Sequence, residues 1–153
     1  MFVRKAFVSD LDTILELIYY SEKSLNFDEK YMMIFKDKYN INKEFLENSY
    51  SYCMIESNNI VGFFALQYKN NLFELEYFYI KHNLIGKGYG KVMFEFLIKK
   101  CNELNIKEFY LVTSPESLEF YSKLGAKKVS EAKSLIDANR IIPRLKYIVN
   151  GGC

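Results

Sequence analysis

Ile80-Lys81-His82-Asn83-Leu84-Ile85-Gly86-Lys87-Gly88-Tyr89-Gly90-Lys91 lies where one hydrophobic period gives way to another, and the fold turns on it. Before it, Leu72 to Lys81 is almost entirely apolar apart from Glu74 and Glu76, the composition of a buried strand. After it, Val92, Met93, Phe96, Leu97, Cys101 and Leu104 recur at helical spacing. Glu108 to Thr113 is then a short run of buried-strand type. A strand, a crossover helix and a strand predict a right-handed βαβ unit with parallel strands. Pro115 suits the first turn of a further helix, which runs to Leu124 and is closed by Gly125.

On the N-terminal side, Tyr52 to Glu56 and Ile60 to Tyr68 are rich in aromatic and β-branched residues, with Asn58-Asn59 as the turn between them. Asn70-Asn71 makes a second turn into Leu72. The three runs form an antiparallel meander. Phe2 to Val8 reads as a strand and Ser9 to Asp12 as a capping box. Leu11, Ile14, Leu15 and Ile18 then carry a helix. Asp28 to Lys38 and Asn42 to Asn48 are read as two short helices. Lys127 to Ser130 and Leu145 to Val149 are the final strands. The class is α+β, a mixed sheet whose antiparallel N-terminal part turns parallel in its middle.

The chain has 153 residues, half of them hydrophobic and 17% aromatic, enough to fill one core. With two prolines and seven glycines, little of it reads as linker, and a single domain over residues 1–153 is expected. A net charge of +2 argues against nucleic acid as a partner. No apolar run approaches membrane-span length, so no membrane is expected either. Cys53, Cys101 and Cys153 are odd in number and far apart; they read as reduced thiols of a cytoplasmic protein, and Cys153 is given no role. One histidine, His82, is too few for a His/Cys metal site, and no metal is expected.

Gly86, Gly88 and Gly90 allow positive φ or a close approach of backbone to a ligand. They open a helix, whose first N–H groups lack intrahelical partners and attract anions. Lys87 and Lys91 add positive charge. A phosphate or pyrophosphate is the ligand this implies, although such glycines also serve simply as a tight turn. A P-loop requires Gly-Lys-Ser/Thr at its end, and here Lys91 is followed by Val92. A dinucleotide fingerprint requires a third glycine where Lys91 stands.

Ile85-Gly86-Lys87-Gly88-Tyr89-Gly90 resembles the acetyl-coenzyme A loop of the GNAT N-acetyltransferases, [Q/R]-x-x-G-x-[G/A]. Phe120-Tyr121-Ser122-Lys123-Leu124-Gly125-Ala126 resembles a later signature of the same family, at the usual distance. The resemblance implies acetyl-CoA as co-substrate, an amine acceptor, and a monomer or homodimer. It implies helices on both faces of the sheet, and parallel strands that splay to admit the coenzyme. Amides from Ile85 through Gly86, Lys87, Gly88, Tyr89 and Gly90 to Lys91 would hold the pyrophosphate. Phe78-Tyr79-Ile80 would lie along the pantetheine arm, with Ser114 and Phe120 also against the coenzyme. Tyr121 would protonate the leaving thiolate, an act suited to a phenol of pKa near ~10 facing a thiolate near ~8.5.

A primary amine is mostly protonated at neutral pH and must lose a proton before it attacks. Glu76 and Glu74 are the candidate bases, sharing one strand face by period two unless a bulge intervenes. Glu76, nearer the coenzyme loop, is preferred. The family's loop Gln or Arg is Ile85 here, its loop-entrance proline is His82, and its asparagine after the fifth strand is Ser114. The expected activity is acetyl transfer from acetyl-CoA directly to a primary amine; a non-catalytic acyl-CoA sensor of the same fold is the alternative. Tyr31, Phe35, Tyr39 and Phe45 recur at a spacing that suits core packing more than an acceptor pocket. Arg140 is expected to tie down a loop through backbone carbonyls.

Overall fold

The computed structural model describes residues 1–137 and 139–149. Cys153 therefore lies outside the described residues. In chain order the elements are β1 (Phe2–Lys5), α1 (Leu11–Lys23), α2 (Glu29–Lys38), α3 (Lys43–Glu47), β2 (Tyr50–Glu56), β3 (Asn59–Lys69) and β4 (Leu72–Ile80). They continue with α4 (Tyr89–Glu103), β5 (Glu108–Val112), α5 (Leu118–Lys123), β6 (Lys127–Lys133) and β7 (Ile141–Ile148). The strands form one seven-stranded sheet in the order β1-β2-β3-β4-β5-β7-β6. Every neighbouring pair is antiparallel except β4 and β5, which are parallel. The structure is thus the expected α+β mixed sheet.

The hairpins follow from residues that tolerate left-handed backbone. Asn70 and Asn71 have φ of 53° and 64° and join β3 to β4 as a two-residue turn. The β2–β3 turn sits one residue earlier than expected. Ser57 and Asn58 carry the positive φ values, 51° and 65°, while Asn59 already pairs with Glu56. The Asn59 side-chain amide donates to the Ser57 carbonyl at 3.2 Å, which holds the turn there.

The capping box expected from Ser9 to Asp12 does not form. Asp10 instead accepts from the Phe7 amide at 2.7 Å and from both terminal nitrogens of Arg4 at 2.8 and 3.0 Å. A 3-10 turn over Val8–Asp10 then leads into α1. Asp28 and Asn42 cap α2 and α3, each accepting from the amide three residues on, at 2.8 Å.

Strand alternation divides the apolar residues between two cores. Phe63 and Ala65 of β3 join Ile14, Ile18, Met32 and Phe35 of α1 and α2. Phe64 and Leu66 join Met93, Phe94, Leu97 and Cys101 of α4 on the other face. Each of the Ile, Leu, Met and Phe side chains among them contributes roughly 1.5–3 kcal/mol when fully buried.

β6 continues to Lys133, past the expected Lys127–Ser130, and β7 begins at Ile141, before the expected Leu145–Val149, and ends at Ile148. β6 is exposed along almost its whole length, so its sequence carries no apolar period to mark its end.

Candidate active site

β4 and β5 register at one residue pair, Glu74 opposite Tyr110, and part beyond it. A cleft of about 770 Å³ opens at that point. Gly86, Gly88 and Gly90, with Phe78, Tyr79 and Ile80 of β4 and Tyr121 of α5, line one part of it. The last turn of α1, Tyr31 and Phe35 of α2 with Tyr39 just past its end, and Arg144 of β7 line the other.

The loop is built by glycine geometry. Gly86 and Gly88 have φ of +82° and +90°, and a β-carbon on either would meet nothing within 4 Å. Backbone conformation, not crowding, therefore calls for glycine, and the space beside the turn is clear. Gly88 caps α4 in a left-handed conformation, so the first amides of a 15-residue helix open beside that space. This arrangement fits a pyrophosphate. Gly90 is different: its β-carbon would fall 3.0 Å from two ring carbons of Phe120, so α4 and α5 meet there without room for a side chain.

Tyr121 is buried at 7% exposure, its ring edge-on to Phe78 with centroids 5.8 Å apart. Burial pushes its phenol pKa up, so it stays protonated throughout the neutral range.

β4 carries a bulge beside the carboxylates. Leu66 pairs with Leu75 and Ala65 with Tyr77, which leaves Glu76 as the extra residue. Leu75 enters one core and Tyr77 the other, so the alternation slips between them. Neither glutamate stands free. Glu74 bonds Arg144, and Glu76 pairs with Lys69. Oε1 of Glu76, the atom that faces the Lys69 ammonium, is shut off from solvent.

Phe78, Tyr79, Ile80, Ile85, Gly86, Gly88, Gly90, Lys91, Ser114, Phe120, Tyr121, Glu74 and Glu76 all line the cleft. The side chains of Lys87 and Tyr89 do not. Lys87 is exposed between two left-handed glycines, and the Tyr89 hydroxyl turns away to donate to Glu56 at 2.6 Å. His82 is exposed, its ring centroid 5.8 Å from that of Tyr20. Tyr31, Phe35 and Tyr39 reach the cleft, but Phe45 packs edge-on against Tyr77. Arg140 ties down its loop through side chains; among the described residues its guanidinium bonds no backbone carbonyl. It bonds Glu116 at 2.6 Å and lies 4.9 Å from the Phe27 ring centroid, because a carboxylate and an aromatic face are what surround it. Cys53 and Cys101 sit in the two cores, where burial pushes each thiol up to about 12.

Several lining residues escaped the sequence reading, Glu22, Lys69 and Arg144 among them. Glu22 is 9% exposed and accepts from Tyr31 at 3.0 Å and Tyr79 at 3.3 Å. A signal for it exists: Glu22 continues the stripe of Leu11, Ile14, Leu15 and Ile18, so a carboxylate stands in the register of the buried face.

Residues 18–135 match the family model described as an acetyltransferase (GNAT) domain. No match is found among curated proteins. Among solved structures, the chain resembles a PaiA N-acetyltransferase from Thermoplasma acidophilum in complex with coenzyme A. The TM-score is 0.76 at 22% identity, over 95% of this chain and 98% of the other. A GCN5-related N-acetyltransferase from Rhodopseudomonas palustris gives a TM-score of 0.80 at 15% identity, over 96% and 94%. A GNAT family acetyltransferase from Elizabethkingia anophelis with acetyl-CoA bound gives 0.61 at 16% identity, over 69% and 79%.

Proposed function

The chain belongs to the GNAT acetyltransferase family, and from that premise we propose that it moves an acetyl group from acetyl-CoA directly onto a primary amine. The observation that carries this reading is the parting of β4 and β5 after Glu74 and Tyr110, with the glycine turn and Tyr121 both on the cleft so formed. Amides at the start of α4 hold the pyrophosphate. On its β5 side, β4 beyond the parting point meets no strand among the described residues, which leaves backbone groups for the pantetheine arm. Phe78 and Phe120 pack along the same wall. Lys87 and Tyr89 contribute backbone only.

The acceptor enters from the side of α1 and α2. Glu76, or Glu74 on the same strand, takes the proton from its ammonium, directly or through water. The free amine attacks the thioester carbonyl. As the tetrahedral intermediate collapses, the C–S bond breaks and Tyr121 protonates the departing thiolate. Burial raises the tyrosine's pKa, but the same burial makes a bare thiolate more basic, so the two remain matched. No protein nucleophile is needed, and Cys53 and Cys101 lie in the cores.

Thermal melting with acetyl-CoA, CoA, ATP and NAD tests this reading. At 100 times its Kd a ligand adds roughly 2.7 kcal/mol of stability. A shift with the two CoA species alone supports it; a shift with ATP or NAD alone contradicts it.

A further inference from the structure

We infer that Glu22, flanked by Tyr31 and Tyr79, holds a second cationic group of the acceptor, so that the acceptor is an amine carrying another positive charge along its chain, of diamine or polyamine type. The inference rests on the acetyl-transfer reading above and deepens it.

Glu22 differs in its pairing from the other two carboxylates lining the cleft. Glu74 is paired with Arg144 and Glu76 with Lys69. Among the described residues, no ion pair reaches Glu22. The nearby guanidinium of Arg140 is already held by Glu116 at 2.6 Å and by the face of Phe27. Yet Glu22 is 9% exposed and lines the cleft. Its two oxygens each accept one tyrosine hydroxyl, and each keeps a further lone-pair direction for a donor. A buried carboxylate without a basic partner is costly, and the usual way to offset that cost is a cation.

The surroundings favour a cation as well. Glu22 stands in the last turn of α1, where unpaired carbonyls add negative potential. The rings of Tyr31 and Tyr79 flank it, and aromatic faces attract ammonium groups. Tyr79 also links the two ends of the site. Its hydroxyl bonds Glu22, and the ring of its chain neighbour Phe78 packs edge-on against Tyr121, centroids 5.8 Å apart. An amine whose second charge rests on Glu22 therefore has its free end in the same cleft as Tyr121.

The test compares 1,5-diaminopentane with pentylamine as acceptors, for the wild type and Glu22→Gln, following thiol release. Melting of the CoA-bound protein with each amine runs in parallel. We expect the wild type to favour the diamine by ~30-fold or more in kcat/KM, the scale of one buried charge pair. Glu22→Gln should raise KM for the diamine far more than it lowers kcat, and should collapse the ratio. The diamine should stabilise the CoA-bound wild type and not the variant. Equal use or equal binding of the two amines by the wild type overturns the inference, as does a preference that survives Glu22→Gln. Glu22 is then a hydrogen-bonded post between α1, α2 and β4 only. These failures would leave the acetyl-CoA melting shift intact, whereas loss of that shift in the wild type overturns the coenzyme reading and this inference with it.

Discussion

The backbone of Gly90 lies against the ring of Phe120, so close that a β-carbon on residue 90 would come 3.0 Å from Cε1 and Cζ of that ring. The coenzyme loop and the later signature, separated by a helix and a strand, thus meet at one contact. A Gly90→Ala change trades better helix propensity, ~1 kcal/mol, against this overlap. In a double-mutant cycle with Phe120→Ala, the two changes should couple by ~0.5–3 kcal/mol, with Gly90→Ala costly alone and favourable once the ring is gone. Urea melts of the four proteins check it; strict additivity would refute the contact.

The Arg4–Asp10 pair sets the entry to α1. Its hydrogen bonds with Arg4 hold the Asp10 carboxyl below the usual carboxylate range, so its contribution is complete above the unfolded pKa of about 3.9. That contribution fades as pH falls through the lower folded value. Asp10→Asn should cost ~1–2 kcal/mol at pH 7, and the difference from wild type should shrink toward pH 3. Denaturant melts across that range measure it; a pH-independent gap would contradict the pair's role.

Glu22 has the opposite sign. Burial pushes its pKa up, against the pull of the Tyr31 and Tyr79 hydroxyls. The folded state therefore holds a proton that the unfolded state would release. The resulting penalty is absent below about pH 4.3, grows as pH rises from there toward the raised folded value, and is constant above it. Glu22→Gln should accordingly be no less stable than wild type at pH 7, with any gain vanishing on acidification. Melting curves at pH 4 and 7 decide this, and a large loss at pH 7 would show a purely structural carboxylate.

The two β4 carboxylates should separate by readout. Glu76→Gln should lower kcat by ~10²–10⁴-fold as the loss of a base. Glu74→Gln leaves Arg144 without its partner and should chiefly cost stability, ~1–3 kcal/mol, since the pair is only partly buried. A kcat loss confined to Glu74→Gln would reverse the assignment.

Much of this architecture was legible because its signals are local. Asn70-Asn71 marks a left-handed turn, the α4 residues keep helical period, and the glycines at 86 and 88 announce positive φ. What was not legible depends on long-range partners. The bulge at Glu76 is set by the register of β3 and leaves no mark in the alternation of β4. The side chain of Tyr89 faces Glu56, a residue 33 positions earlier. β6 is polar along both faces, so nothing in its letters separates an edge strand from a loop. Glu22 could be read as the polar end of a helix until Tyr79, 57 residues away, is placed against it.

The central claim is that Tyr121 serves the departing thiolate in a cleft that binds acetyl-CoA, and Tyr121→Phe tests it most directly. The comparison is Kd for acetyl-CoA against kcat for a productive amine, in wild type and variant. Kd should hold within about threefold while kcat falls by ~10²–10⁴-fold, since only the proton donor is lost. An unchanged kcat, or a fall explained wholly by lost coenzyme binding, would contradict it.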